Sequence, residues 1–152
     1  MTLLLALLGA GLIAGVFFAF SAFVMGALAR LPAAAGVAAM QAINRVVINP
    51  HFLGVFLGTA LPCATLLLLA ALGHAPGRET ALFLGALAYL VGTVGVTMAA
   101  NVPRNEALAP LDPVGVEAAA YWPHYVREWT RWNHLRCTAS LAAMAAFAMA
   151  LG

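Results

Sequence analysis

The sequence predicts an all-α fold, a four-helix transmembrane bundle. We expect a short amphipathic helix between the first and second spanning helices, and a long last helix that extends out of the membrane. Hydrophobic residues make up 64% of the 152 residues and charged residues only 8%, whereas a soluble domain is about 45–50% apolar. The charges lie between four long apolar runs, and a helix of roughly 20 apolar residues crosses a hydrocarbon core of about 30 Å.

The expected spanning helices belong to one integral membrane domain, residues 1–152, and cover about residues 3–29, 51–73, 80–101 and 133–151. The first run contains Ala27-Leu28-Ala29, which resembles a signal-peptide cleavage site. Its apolar stretch exceeds the 7–15 residues of a signal core and no positive charge precedes it, so we expect a retained helix. The first helix should end at Leu31-Pro32 and the third at Asn101-Val102-Pro103, because the residue before a proline disfavours the helical conformation.

The connections also carry helical patterns. Apolar residues recur at helical spacing from Ala33 to Val47, with polar residues between them, which predicts an amphipathic helix at the membrane interface. Asn49-Pro50 is a typical helix start. Asp112-Pro113 should begin a short segment, and a long last helix should run from Trp122-Pro123 to the end of the chain.

Arginine placement predicts the orientation. The chain has no lysine, and six of its seven arginines lie in the first and third connections. The positive-inside bias puts these connections in the cytoplasm and both termini outside, so we expect a multi-pass protein of the cell membrane whose partner is the lipid bilayer. No polybasic patch is present for nucleic acid.

Small residues and cysteines lie within the apolar runs. The pairs Gly11/Gly15 and Gly54/Gly58 have the spacing that lets helices approach closely in lipid, and a homo-oligomer through such faces stays open. Cys63 and Cys137 are expected to be buried free thiols, with a disulfide as the alternative.

No sequence motif points to a metal or a redox cofactor, and we expect neither. There is no paired-histidine zinc motif, no Cys-x-x-Cys and no nucleotide-binding loop. His51, His124 and His134 are expected near one membrane face, but their spacing matches no ligand pattern.

Polar side chains concentrate at one predicted membrane face. On the last helix Trp122, Tyr125, Trp129, Asn133 and Arg136 follow steps of three and four and share one stripe, which Trp132 and His134 flank. Amides from the first and third connections are expected to join this stripe: Gln41, Asn44, Asn101 and Asn105. We interpret the set as a polar pocket that closes one end of the bundle. The alternatives are an interfacial aromatic belt, favoured for Trp122, and amides that only cap helices or hydrogen-bond structurally.

His134 is the best candidate for a general base, because histidine is the only side chain here that ordinarily titrates near neutrality. Arg136 nearby would disfavour its protonated form. An interfacial hydrogen-bonding role for His134 is the competing interpretation.

Three segments resemble the anthrone oxygenase family of small membrane proteins. The first is Leu31-Pro32 with Ala39-Met40-Gln41-Ala42-Ile43-Asn44, the second is Asn101-Val102-Pro103-Arg104-Asn105-Glu106-Ala107-Leu108, and the third is Trp129-Thr130-Arg131-Trp132-Asn133-His134-Leu135-Arg136. They occur in the family's order and spacing and together span nearly the whole chain.

The resemblance implies oxidation of a flat phenolic or polyketide compound of the anthrone type by dioxygen, without a cofactor. His134 would be the base, Asn133, Asn105 and Arg136 the hydrogen-bond donors, and Trp129 a stacking wall, with Gln41, Asn44, Asn101 and Trp132 in substrate binding. The alternative is a non-catalytic membrane protein that binds or passes an amphipathic molecule, or assembles with a membrane partner.

Overall fold

The computed structural model describes residues 1–152, and its only regular elements are helices. It contains five helices, which we number in chain order: α1 (Thr2–Ala29), α2 (Ala33–Val46), α3 (Pro50–Ala71), α4 (Glu79–Leu108) and α5 (Val116–Met149). Three of them, α1, α3 and α4, are long and apolar enough to cross a membrane. The chain is therefore a membrane protein, and α2 is the expected short helix between the first two spans.

The last helix lies against the apolar helices. α5 has 34 residues, about 51 Å at 1.5 Å per residue, and it runs antiparallel to α4. Near one end of the bundle Phe147 packs on Gly85, and near the other Asn101 bonds to the Trp129 carbonyl. A core of 15 buried residues joins the two with α1 and α3.

The prediction that the third spanning helix ends at Asn101 is wrong, because α4 continues through Pro103 to Leu108. Thr97–Asn101 is π-helical, and the Val102 N–H bonds to the Thr97 carbonyl. Pro103 therefore takes a first-turn position in the α-helical segment that follows, where a missing N–H costs little.

The predicted start of the last helix is also wrong. Asp112 and Pro113 form a turn, in which Asp112 Oδ1 accepts a hydrogen bond from Val114 N at 3.2 Å. α5 then begins at Val116 and includes Pro123 in its interior. The loss of one hydrogen bond at Pro123 is offset because Ala118 and Trp122 are buried in a second core cluster against α2.

Trp122 is not part of an interfacial belt, since its side chain is only 4% exposed. The ring lies on Gly36, where an added Cβ would stand 2.7 Å from the indole. This close approach holds α2 across the end of the bundle.

Two sequence expectations about packing have different outcomes. Cys63 and Cys137 are buried free thiols, as expected. A Cβ added at Gly54 or Gly58 would meet nothing within 4 Å, whereas one added at Gly85 or Gly92 would stand 2.8 Å or 2.5 Å from side chains of α5. The Gly54/Gly58 pair therefore does not serve helix packing within the chain.

Candidate functional site

A cavity of about 590 Å³ lies under α2, between α1, α3, α4 and α5. Aromatic rings form much of its apolar wall: Phe17, Phe20, Phe52, Phe56 and Trp129. The Phe20 and Trp129 ring centroids are 5.5 Å apart. A cavity of this size and lining fits a flat, drug-sized aromatic molecule.

Arg136 is the buried charged residue of the cavity wall, whereas Arg45 and Glu106 also line the cavity but are exposed. Its side chain is 4% exposed, and its Cζ lies 4.1 Å from the centroid of the Phe17 ring and 5.0 Å from that of Trp129. Nη2 donates to Asn133 Oδ1 at 2.7 Å and Nη1 to Thr97 Oγ1 at 3.2 Å. The two rings and two bonds fix the guanidinium at the edge of the cavity.

No carboxylate neutralises Arg136. The two ion pairs in the chain join Glu128 to Arg104 and to Arg127. A guanidinium has five N–H donors, and Arg136 Nε is buried with no partner. A buried, unpaired charge is costly, and an anionic oxygen is the ligand that would offset this cost.

Asn133 holds the guanidinium of Arg136 in place without lining the cavity itself. Its Nδ2 donates to the Phe17 carbonyl and to Ser21 Oγ, both at 2.8 Å, while its Oδ1 holds Arg136. The π-helical segment Phe20–Val24 of α1 carries Ser21, and such segments occur frequently at functional sites. Asn133 is fully buried and does not itself line the cavity.

Three other amides leave hydrogen-bonding capacity at the cavity wall. Asn101 Nδ2 donates to the Trp129 carbonyl at 3.2 Å, but its buried Oδ1 has no partner. Asn105 Oδ1 accepts from Tyr125 Oη at 2.9 Å and from Trp129 Nε1 at 2.8 Å, and its Nδ2 makes no hydrogen bond within the chain. Asn44 also lines the cavity.

Tyr125 stays a hydrogen-bond donor in this network. Its side chain is fully buried, and a phenol keeps its proton at neutral pH. A neutral Tyr125 thus keeps Asn105 Oδ1 engaged and Asn105 in place.

Gln41 has a structural role at the end of α4. Its Nε2 lies 3.0 Å from the Leu108 carbonyl and 2.8 Å from that of Leu111. These carbonyls belong to the end of α4 and the turn after it, where helices leave acceptors without partners. Gln41 thereby attaches α2 to the end of α4.

Six of the nine residues selected from the sequence line the cavity: Gln41, Asn44, Asn101, Asn105, Trp129 and Arg136. The other three do not. Asn133 lies behind Arg136, and Trp132 is outside the cavity with Arg104 5.7 Å from its ring. His134 is exposed on the opposite face of α5, so the geometry gives no support to its expected role as a base.

Thr97 and the phenylalanines of the wall do not stand out in the sequence as site residues. A phenylalanine in a spanning helix has the same sequence pattern whether it faces lipid or a cavity. No group of three His, Cys, Asp or Glu side chains, including His51 and His124, is placed to hold a metal ion.

A model of the anthrone oxygenase family matches residues 52–146. The chain belongs to the anthrone oxygenase family. The match includes the second and third segments of the resemblance and the Arg136 side of the cavity, and it confirms the family inferred from them. The first segment, with Gln41 and Asn44, precedes the matched region. Comparisons with curated proteins and with solved structures found no match.

Proposed function

We propose that the cavity binds a flat phenolic or polyketide compound of the anthrone type and promotes its oxidation by dioxygen. The observation that carries this proposal is Arg136, a buried cation without a carboxylate partner, set between two rings at the edge of an apolar cavity. An anthrone becomes reactive toward dioxygen once it forms its enolate. A fixed guanidinium next to the enolate oxygen stabilises that anion.

The reaction balances without a redox cofactor. The anthrone methylene loses a proton to water at the polar mouth of the cavity, which exposed Arg45 and Glu106 line. The oxygen of the enolate accepts a hydrogen bond from Arg136. The carbanion carbon transfers an electron to dioxygen, and the resulting radicals combine to form a C–O bond. Protonation gives a hydroperoxide, and loss of water breaks its O–O bond and the remaining C–H bond to leave the quinone carbonyl. One anthrone and one dioxygen give one anthraquinone and one water.

The other cavity residues have supporting roles in this proposal. Trp129 and Phe20 stack on the flat ligand, and Asn101, Asn105 and Asn44 hydrogen-bond its polar edge. Asn133 is a positioning residue because it acts through Arg136. His134 has no role, since its exposed ring is outside the cavity.

The test supplies purified protein with anthrone and measures oxygen uptake and quinone formation. Arg136→Met should reduce turnover by about 10²–10³, the usual effect of removing one oxyanion donor. Arg131→Met is the matched control, because Arg131 is exposed on the same helix and makes no hydrogen bond; it should behave as wild type. Equal turnover in Arg136→Met would overturn the proposed role of Arg136. Anthrone binding without turnover in the wild type would favour a non-catalytic binding protein.

We also propose that α5 provides the fourth span and that the end with the cavity is cytoplasmic. Its antiparallel course beside α4 supports the span, and the arginines of the first and third connections support the orientation. A cysteine at exposed Pro76 should react with an impermeant thiol reagent added outside, and one at exposed Ala109 should not. The reverse pattern would contradict the orientation.

A further inference from the structure

Two residues of the cavity wall are also exposed on the outside of the helix bundle, and they belong to two different helices. Leu57 of α3 and Met98 of α4 both line the cavity, yet they are 51% and 59% exposed. Both belong to helices apolar enough to span a membrane. Leu57 is about 10 Å along α3 from Pro50 at 1.5 Å per residue, so it lies inside the apolar span rather than at its end.

The hydrogen bonds of α4 indicate a gap between α3 and α4 beside these two residues. Tyr89 Oη donates to the Phe56 carbonyl at 2.9 Å and joins α4 to α3. Beyond Tyr89 the bonds between helices go to α5 instead: Thr93 bonds to Ser140 at 2.8 Å, and Thr97 accepts from Arg136. In this stretch α4 is bound to α5 and leaves α3, and Leu57 and Met98 border the space between them.

The rims of the two entrances differ in chemistry. The mouth under α2 carries Arg45 and Glu106, both charged and exposed. The gap between α3 and α4 is bordered by the apolar side chains of Leu57 and Met98. A flat aromatic compound dissolves in the bilayer rather than in water, and it would have to leave the bilayer to use the charged mouth.

We infer that the opening between Leu57 and Met98 is the entrance through which a membrane-dissolved aromatic ligand reaches Arg136. This inference rests on the proposed function for the identity of the ligand. The ligand enters through the lipid-facing opening, and its acidic oxygen meets the guanidinium inside.

The test measures how fast alizarin, a flat hydroxyanthraquinone, binds to the protein in phosphatidylcholine vesicles. Alizarin is achiral and shows visible circular dichroism only when bound to a chiral site, while its absorption reports ionisation of its phenol. Leu57→Trp and Met98→Trp fill the side opening. The matched controls are Leu61→Trp and Val91→Trp, which are 73% and 59% exposed on the same helices but do not line the cavity. Arg45→Trp narrows the polar mouth.

We expect Leu57→Trp and Met98→Trp together to slow association at least tenfold, with the final circular dichroism retained. The three other variants should stay within twofold of wild type. Unchanged association in the double variant, or an equal slowing by Arg45→Trp, would overturn the side entrance and leave the proposed function intact. Conversely, the double variant could slow binding while the phenol of bound alizarin ionises at the same pH in the wild type and in Arg136→Met. That result would support the side entrance and contradict the proposed function. No alizarin binding to the wild type contradicts both.

Discussion

The coupling between Arg136 and Asn133 gives a quantitative prediction about stability. Asn133→Leu in the wild-type background removes the 2.7 Å bond to Arg136 Nη2 and leaves the buried cation with one hydrogen bond, to Thr97. A hydrogen bond to a charged group contributes about 1.5–3 kcal/mol. When residue 136 is methionine this bond is already absent, and Asn133→Leu loses only its bonds to Phe17 and Ser21. We expect a coupling free energy of about 1.5–3 kcal/mol between the two sites.

The assay is unfolding in mixed micelles followed by far-ultraviolet circular dichroism, on wild type, the two single variants and the double variant. A parallel cycle with Arg131→Met in place of Arg136→Met should give no coupling, because exposed Arg131 bonds to nothing. Additive effects within about 0.5 kcal/mol in the Arg136 cycle would refute the claim that Asn133 holds the guanidinium.

Three further predictions concern other parts of the structure. Gln41→Leu should lower the free energy of unfolding by about 1–3 kcal/mol, because buried carbonyls at the end of α4 lose their donor. Unfolding in mixed micelles measures this loss, and a loss under about 0.5 kcal/mol would contradict the attachment of α2 through Gln41. Gly36→Ala should be destabilising because an added Cβ would stand 2.7 Å from the Trp122 ring. Gly26→Ala is the control, because an added Cβ there meets open space. Equal thermal stability of the two variants would argue against the contact between Gly36 and Trp122. His134→Ala should keep anthrone turnover within about twofold, and a loss of about 10²–10⁴, typical of a general base, would instead restore His134 to the mechanism.

The apolar spans and the polar end of the bundle could be predicted from the sequence, since long uncharged runs and proline-marked connections determine them. Helix boundaries near Pro103 and Pro123 could not. At Pro103 a π-helical turn removes the cost of the missing N–H, and at Pro123 burial of neighbouring side chains outweighs it. Both effects depend on contacts that the local sequence does not contain.

The candidate site, too, could be predicted from the sequence only in part. The spacing of Trp129, Asn133 and Arg136 placed them on one face of α5, and the structure buries that face. His134 is adjacent in sequence, but one residue is about 100° of helix rotation, so its ring points away from the cavity. That Arg136 lacks a carboxylate partner depends on where distant acidic residues lie, and only the folded chain shows it.

The proposed role of Arg136 is tested most directly by the ionisation of alizarin bound to purified protein, followed by visible absorption as the pH is varied. If Arg136 is an unneutralised cation facing the cavity, it should lower the pKa of the bound phenol by about 1–3 units relative to the same dye bound to Arg136→Met. Arg131→Met should match wild type. Bound alizarin that ionises at the same pH in the wild type and in Arg136→Met would contradict the claim that Arg136 stabilises an anionic oxygen in this cavity.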